Sequence, residues 1–226
     1  MTTLLATTAI EKSFARTQAL RGVSLDIADG ETVAITGPSG AGKSTLMHCL
    51  AGIVRPEAGA VTYDGRRLDD MGEDARTRLR RREFGLVLQF GQLVPELTAE
   101  QNVALPLLLE RHSRSEARNA ARTWLDRLGV GEVADAVPGE LSGGEAQRVA
   151  VARALVTGPR VIFTDEPTGS LDTVAGEQVL DVLFGAAGER SATVVLVTHD
   201  NRVAAHADRE VVLVDGKAET DPVVAA

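Results

Sequence analysis

Short apolar runs that stop at a glycine or an acidic residue recur along this chain, with helically spaced stretches between them. "GETVAITG" (30–37) is a short apolar run that ends at Gly37. A run that short and unbroken predicts a strand buried on both faces. "RVIFTDEP" (160–167) and "ATVVLVTHD" (192–200) repeat the pattern. Between them, "VAGEQVLDVLFGAAGE" (174–189) has the spacing of an amphipathic helix. "KSTLMHCLAGIVRP" (43–56) predicts another, with Leu46, Met47, Leu50 and Ile53 on one face and Gly52 and Pro56 as stop signals. Strands alternating with helices predict an α/β fold: a mainly parallel core sheet with helices on both faces.

Three stretches fall outside that alternation. "LLATTAIEKSF" (4–14), "ALRGVSLDI" (19–27) and "GAVTYDGRRL" (59–68) predict a small antiparallel β subdomain. "LRRREFGLVLQF" (79–90) runs from a basic helix into an apolar strand, and the overlapping run "RTRLRRRE" (76–83) reads as a solvated helix face. From about 93 to 140 the pattern is helical and predicts an inserted helical subdomain, with Pro106 interrupting it and Trp124 packing inside it. "REVVLVDGKAET" (209–220) predicts a closing hairpin and "DPVVAA" a frayed tail. With neither repeat nor linker, residues 1–226 are expected to form a single domain.

Composition narrows the function classes. The 226 residues are 44% hydrophobic and 25% charged, which suits a globular core. A formal net charge of −8 argues against a dedicated nucleic-acid binder, so no nucleic-acid partner is expected. One cysteine, Cys49, gives no intrachain disulfide and no cysteine-rich metal site. Cys49, His48 and His206 read as structural. The first residues lack a secretory signal and no apolar run is long enough to span a bilayer. The expected location is cytoplasmic, with any membrane role exercised through another polypeptide.

The chemistry sits in three places. "GPSGAGKS" (37–44) fits G-x-x-x-x-G-K-[ST], with a strand before it and a helix after it. Its glycines let successive N–H groups curl toward phosphate oxygens, and the helix start adds a positive dipole end. Lys43 supplies a cation for the β- and γ-phosphates and Ser44 a hydroxyl for Mg²⁺. "VIFTDEP" ends in Asp165, placed to hold Mg²⁺, and Glu166, a candidate general base. "LSGGE" (141–145) puts Ser142, Gly143 and Gly144 before a second helix, "EAQRVAVARAL". That is either an ordinary serine N-cap or a second anion site. One chain has little use for two such sites on one phosphate. Two chains head to tail could each bring this turn to the γ-phosphate held by the other.

The set "GPSGAGKST", Gln89, "LSGGEAQRVAVARAL", "VIFTDEPTGSLD" and "THD", in that order, resembles the ATP-binding cassette of ABC proteins from about Leu4 to Lys217. The resemblance implies a P-loop NTPase fold of the ABC ATPase type, an ATPase activity with ATP and Mg²⁺, and a homodimer around two ATP molecules. It assigns ATP contacts to Gly37, Pro38, Ser39, Gly40, Ala41, Gly42, Lys43, Ser44 and Thr45. Mg²⁺ falls to Ser44, Gln89 and Asp165. Ser142, Gly143, Gly144 and Glu145 would meet the partner's ATP. Glu166 is the implied base, His199 the switch histidine, and Asp172 couples the two sites. Phe14 is the candidate to stack on adenine, with an ordinary core phenylalanine as the alternative. His199 has the same alternative. Thr164 departs from the apolar or small residue usual before the aspartate and is expected to add a hydrogen bond. Ala146 and Ser170 are further departures that remove no catalytic group.

"RRREFGLVLQFGQLVPELTAEQNVALPLLL" and "DEPTGSLD" are similar to the branch of lipoprotein-releasing, macrolide-export (MacB-like) and FtsE-like cell-division ATPases. That branch implies an integral-membrane permease partner, a position on the inner face of the cell membrane, and export or extrusion of a drug, peptide, lipoprotein or haem. A mechanotransmitting ATPase that regulates a cell-wall or division process without transport is the alternative. A soluble ABC protein acting on ribosomes or DNA would usually carry a second cassette or long insertions, which this chain lacks. A kinase or GTPase leaves "LSGGE" without a task.

Overall fold

Alternating side chains at the start of the chain form a long hairpin, β1 (Thr3–Phe14) and β2 (Thr17–Ala28), in a computed structural model that describes residues 2–15, 17–88, 92–169 and 171–219. It buries Leu4, Leu5, Ile10, Leu20, Val23 and Ile27, all nearly inaccessible. β4 (Ala58–Tyr63) and β5 (Arg66–Arg67) complete a four-stranded antiparallel sheet, ordered β2-β1-β4-β5. The chain divides into two compact units, one made of residues up to Arg80 and from Thr193 onward, the other of Arg81–Ala192.

In the first unit, β3 (Thr32–Thr36) lies parallel to both β8 (Thr193–Val197) and β9 (Arg209–Val214). β10 (Lys217–Glu219) folds back on β9 through Asp215 and Gly216, at φ 48° and 77°. Asp64 and Gly65 repeat that geometry between β4 and β5, at φ 49° and 73°. Paired positive φ is the mark of the two-residue turn whose twist matches a hairpin, and Asp-Gly is the sequence that tolerates it. α1 (Lys43–Leu50) follows β3 and buries Leu46, Met47, Cys49 and Leu50. It ends before Ile53, which is exposed rather than part of the buried face. α7 (Asn201–Ala204) is one short turn.

In the second unit, β6 (Phe84–Val87) runs parallel to β7 (Val161–Asp165), and Phe84 meets Phe163 edge to face at 5.2 Å. Every residue of β7 and of β8 is buried, which requires cover on both faces and explains the uninterrupted apolar runs. The helices are α3 (Ala99–Leu109), α4 (Arg114–Arg127), α5 (Gly143–Leu155) and α6 (Thr173–Arg190).

Two expectations are corrected. Pro106 does not interrupt its helix: α3 runs through it to Leu109. The helix is held at its start instead, by a Thr98–Gln101 capping box and by buried Asn102, whose amide bonds Val94, Leu97 and Thr98. The arginines of α2 (Glu73–Glu83) are not simply a solvated face. Arg76 is buried and paired with Glu73, Arg80 donates to the Gly52 carbonyl, and Arg81 and Arg82 both grip Glu110. Trp124 is half-buried beneath the Arg127 guanidinium, 4.5 Å from its ring centroid. The tail after Glu219 lies outside the described residues.

Candidate functional site

The phosphate loop follows directly from β3. Gly37 sits at φ 130°, and a Cβ there would come 2.0 Å from the Leu213 carbonyl oxygen on β9. Gly42 sits at φ 102°, and a Cβ there would come 2.3 Å from the Ala19 carbonyl oxygen on β2. Both positions therefore need glycine for space as well as for φ. The loop is also stapled by the Gly216 N–H donating to the Ala41 carbonyl at 3.0 Å. Pro38, Ser39 and Gly40 are exposed, and Ser44 and Thr45 are half-buried. α1 begins at Lys43 with no side-chain cap and no acidic residue in its first turn. Its leading N–H groups and dipole end thus face an anion without competition from a carboxylate. Lys43 Nζ donates to the Gly37 and Pro38 carbonyls at 2.8 and 3.0 Å, which folds the ammonium over the loop it serves.

Phe14, at the end of β1, is 50% exposed and so is not a core phenylalanine. Lys12 Nζ lies 5.4 Å from its ring centroid. Glu57 holds this strand end, pairing with Lys12 at 3.4 Å and accepting from the Ser13 N–H at 3.2 Å. His199 follows buried Thr198 at the end of β8 and is exposed, so it is not packed in the core. Asp200 beside it caps α7 and chelates Arg202. That side-chain hydrogen bond from Arg202 pulls the Asp200 carboxyl down to about 2.

The second unit holds the carboxylates and the serine-glycine turn. β7 delivers Asp165, 6% exposed, at its end. The Asp165 carboxylate makes no hydrogen bond or ion pair among the described residues. An ionised carboxylate at a strand end is a hard oxygen donor of the kind a divalent cation takes. Glu166 follows, half-buried, at φ 50° in the left-handed region. Thr164 corrects an expectation: its hydroxyl oxygen is buried without a hydrogen-bond partner among the described residues. Nothing in the structure explains why a threonine stands there.

Ser142 caps α5, accepting from the Glu145 N–H at 3.2 Å while its own hydroxyl donates to Glu145 at 2.6 Å. The Glu145 carboxylate also accepts from the Ser142 N–H at 2.8 Å. The side-chain hydrogen bond from Ser142 lowers the Glu145 pKa. Ser142 and Gly143 are exposed and Gly144 is half-buried. Asp172 caps α6 by accepting from the Ala175 N–H at 3.0 Å. Gln89 and Ser170 lie outside the described residues. Among the described residues no group of three or more His, Cys, Asp or Glu could hold a metal by itself, and no helix is long and apolar enough to cross a membrane.

One residue escaped the motif reading. Gln147 is buried, and its Nε2 donates to the Pro167 carbonyl at 3.0 Å. Its signal was a polar residue on the face shared with Val151 and Ala154, both buried one and two turns on.

A glycine loop between a parallel strand and an uncapped helix, together with an acidic pair at the end of another such strand, defines a nucleotide hydrolase of the P-loop class. The family model described as ABC transporter matches residues 20–169. The chain is 46% identical over 202 residues to the uncharacterized ABC transporter ATP-binding protein YbbA of Escherichia coli K12, covering 89% of each. It is 47% identical over 202 residues to the lipoprotein-releasing system ATP-binding protein LolD of Syntrophotalea carbinolica, again 89% of each. Among solved structures it is similar to a dimeric post-hydrolysis state of the ATP-binding cassette MJ0796 bound to ADP and Pi. That likeness has a TM-score of 0.93 at 37% identity, over 97% of this chain and 98% of the other. The chain belongs to the ABC transporter family as an ATP-binding subunit, of the branch that holds the LolD proteins, and it is an ABC-type ATPase.

Proposed function

We propose that this chain works as one nucleotide-binding domain, 1–226, whose helical subdomain is residues 93–140. In this reading it forms a head-to-tail homodimer that hydrolyses ATP to drive a separate integral-membrane permease. The carrying observation is the start of α5. Ser142, Gly143 and Gly144 present a second helix N-terminus at the surface of a chain whose phosphate loop already supplies one. Each is used if the turn of one protomer closes on the nucleotide held by its partner's Gly37–Thr45 loop. The dimeric MJ0796 cassettes support that arrangement.

Within the site, Lys43 and the α1 start hold the β- and γ-phosphates. Phe14 offers an exposed ring to the adenine, His199 contacts the γ-phosphate, and Asp172 couples the two sites. Ser44, Asp165 and Gln89 provide hard oxygen donors of the kind Mg²⁺ takes, and the Asp165 carboxylate, without a partner among the described residues, fits a cation. When bound, Mg²⁺ neutralises developing phosphate charge. Glu166 takes the proton of the attacking water at its carboxylate. Dimer closure is favoured only while a γ-phosphate bridges both chains, so hydrolysis reopens the pair.

The cargo belongs to the export or extrusion class, with lipoprotein release favoured by the named LolD relatives. The subunit then sits on the cytoplasmic face of the membrane through its permease. Glu166→Gln with MgATP is expected to give a stable dimer by light scattering; a monomer at high protein concentration sinks the head-to-tail reading. Affinity purification from native membranes is expected to bring down a permease with few membrane helices and a large external domain. Ribosomal or DNA-repair proteins in its place would overturn the transport reading. A division phenotype without altered efflux would select mechanical regulation.

A further inference from the structure

The geometry points to Gln147 as a positioning residue for hydrolysis, tying the helix that meets the partner's ATP to the turn that carries the general base. The inference rests on the proposed roles of Ser142 and Glu166. Glu166 holds a left-handed backbone, φ 50°, immediately before a proline. A non-glycine residue keeps such a conformation only where its surroundings hold it, and a following proline restricts it further.

Two hydrogen bonds among the described residues brace this turn. The Gly169 N–H donates to the Glu166 carbonyl at 3.1 Å, and Gln147 Nε2 donates to the Pro167 carbonyl at 3.0 Å. Pro167 has no N–H, so its own backbone can hydrogen-bond only through its carbonyl. Gln147 is 2% exposed, on a helix face otherwise filled by Val151 and Ala154. An amide is costly in such a place unless it is bonded, and methionine would fill the same volume without that cost.

The two elements also touch directly. A Cβ on Gly144 would stand 3.1 Å from Leu171 Cδ2, and one on Gly176 would stand 3.4 Å from Thr168. The start of α5, the Glu166 turn and the start of α6 are therefore packed with little slack. Phosphate engagement at Ser142 reaches Glu166 through a helix turn and one buried hydrogen bond.

The test is Gln147→Met, which keeps the volume and removes the donor. Steady-state hydrolysis is measured beside Glu166→Gln. A misplaced base predicts a kcat lower by about tenfold to a hundredfold, with KM for ATP within about twofold. The double variant Gln147→Met/Glu166→Gln is expected to dimerise with MgATP as Glu166→Gln does. Unchanged kcat would overturn the inference. So would kcat and KM worsening together with a lowered melting temperature, or loss of the ATP-driven dimer in the double variant. Should the methionine variant not fold, Gln147→Asn, which withdraws the amide by one methylene, is judged by the same criteria. Wild-type hydrolysis by Glu166→Gln would remove the underlying reading of the base, a failure separate from any result at Gln147.

Discussion

Asp165 and Thr164 are neighbours on a buried strand, and among the described residues neither the Asp165 carboxylate nor the Thr164 hydroxyl has a hydrogen-bond partner. Side chains alternate across a strand, so the two face opposite ways. For Asp165 the proposed Mg²⁺ would be that partner. For Thr164 no such partner is proposed. Replacing it with the near-isosteric valine removes an unsatisfied hydroxyl and should stabilise the protein by about 1 kcal/mol. Calorimetry of Thr164→Val is expected to show a raised melting temperature with hydrolysis unchanged. A lowered one would mean that the hydroxyl is satisfied by bound water. Glu166 holds a left-handed backbone, φ 50°, at the position proposed for the general base. Ser142 carries two tasks at once: the hydroxyl that caps α5 is the one proposed to meet a γ-phosphate.

At the scale of elements, helix starts are better specified than helix interiors. Thr98, Ser113 and Ser142 each begin a helix with a capping box closed by Gln101, Glu116 and Glu145. Only the Ser142 cap was read from the sequence, although S/T-x-x-E/Q places donor and acceptor within one turn at all three. The passage of α3 through Pro106 was not legible. Proline deletes one backbone donor and crowds the preceding turn, so the local rule predicts a break. The rule is overridden because buried Val103, Ala104 and Leu107 must share a face, which outweighs the local loss. Pro106→Ala should therefore stabilise the chain, by about 1 kcal/mol after the greater freedom of the unfolded chain is counted. Urea denaturation with the midpoint raised at constant slope is the expected result. A lowered midpoint would show that the proline ring itself packs there.

At the scale of the whole molecule, Cys49 reports on folding. Burial pushes its thiol up to about 12 against the opposing pull of the Lys12 charge. The folded value lies above the unfolded one, near 9.0, so the folded chain keeps its proton where the unfolded chain releases it. The resulting stability is fully present below pH 9 and declines as pH rises from about 9 towards 12. A thiol reagent at pH 8 should label the native protein only as fast as it opens, and MgATP should slow labelling further by favouring the folded state. Rapid stoichiometric labelling without denaturant would contradict the burial of α1.

The strands, the helix starts, the Asp-Gly hairpins and the phosphate loop were determined by the sequence itself. Each depends on spacing within a few residues: an apolar period, a cap within one turn, glycine where φ is positive. Tertiary structure alone decided the rest. Phe14 and His199 could have been core residues, and only the packing around β1 and β8 leaves them exposed. Arg76 sits in a run that reads as solvated, yet the fold buries it against Glu73. Gln147 finds Pro167 twenty residues away. Such partners are chosen by which surfaces the chain brings together, and no local pattern carries that information.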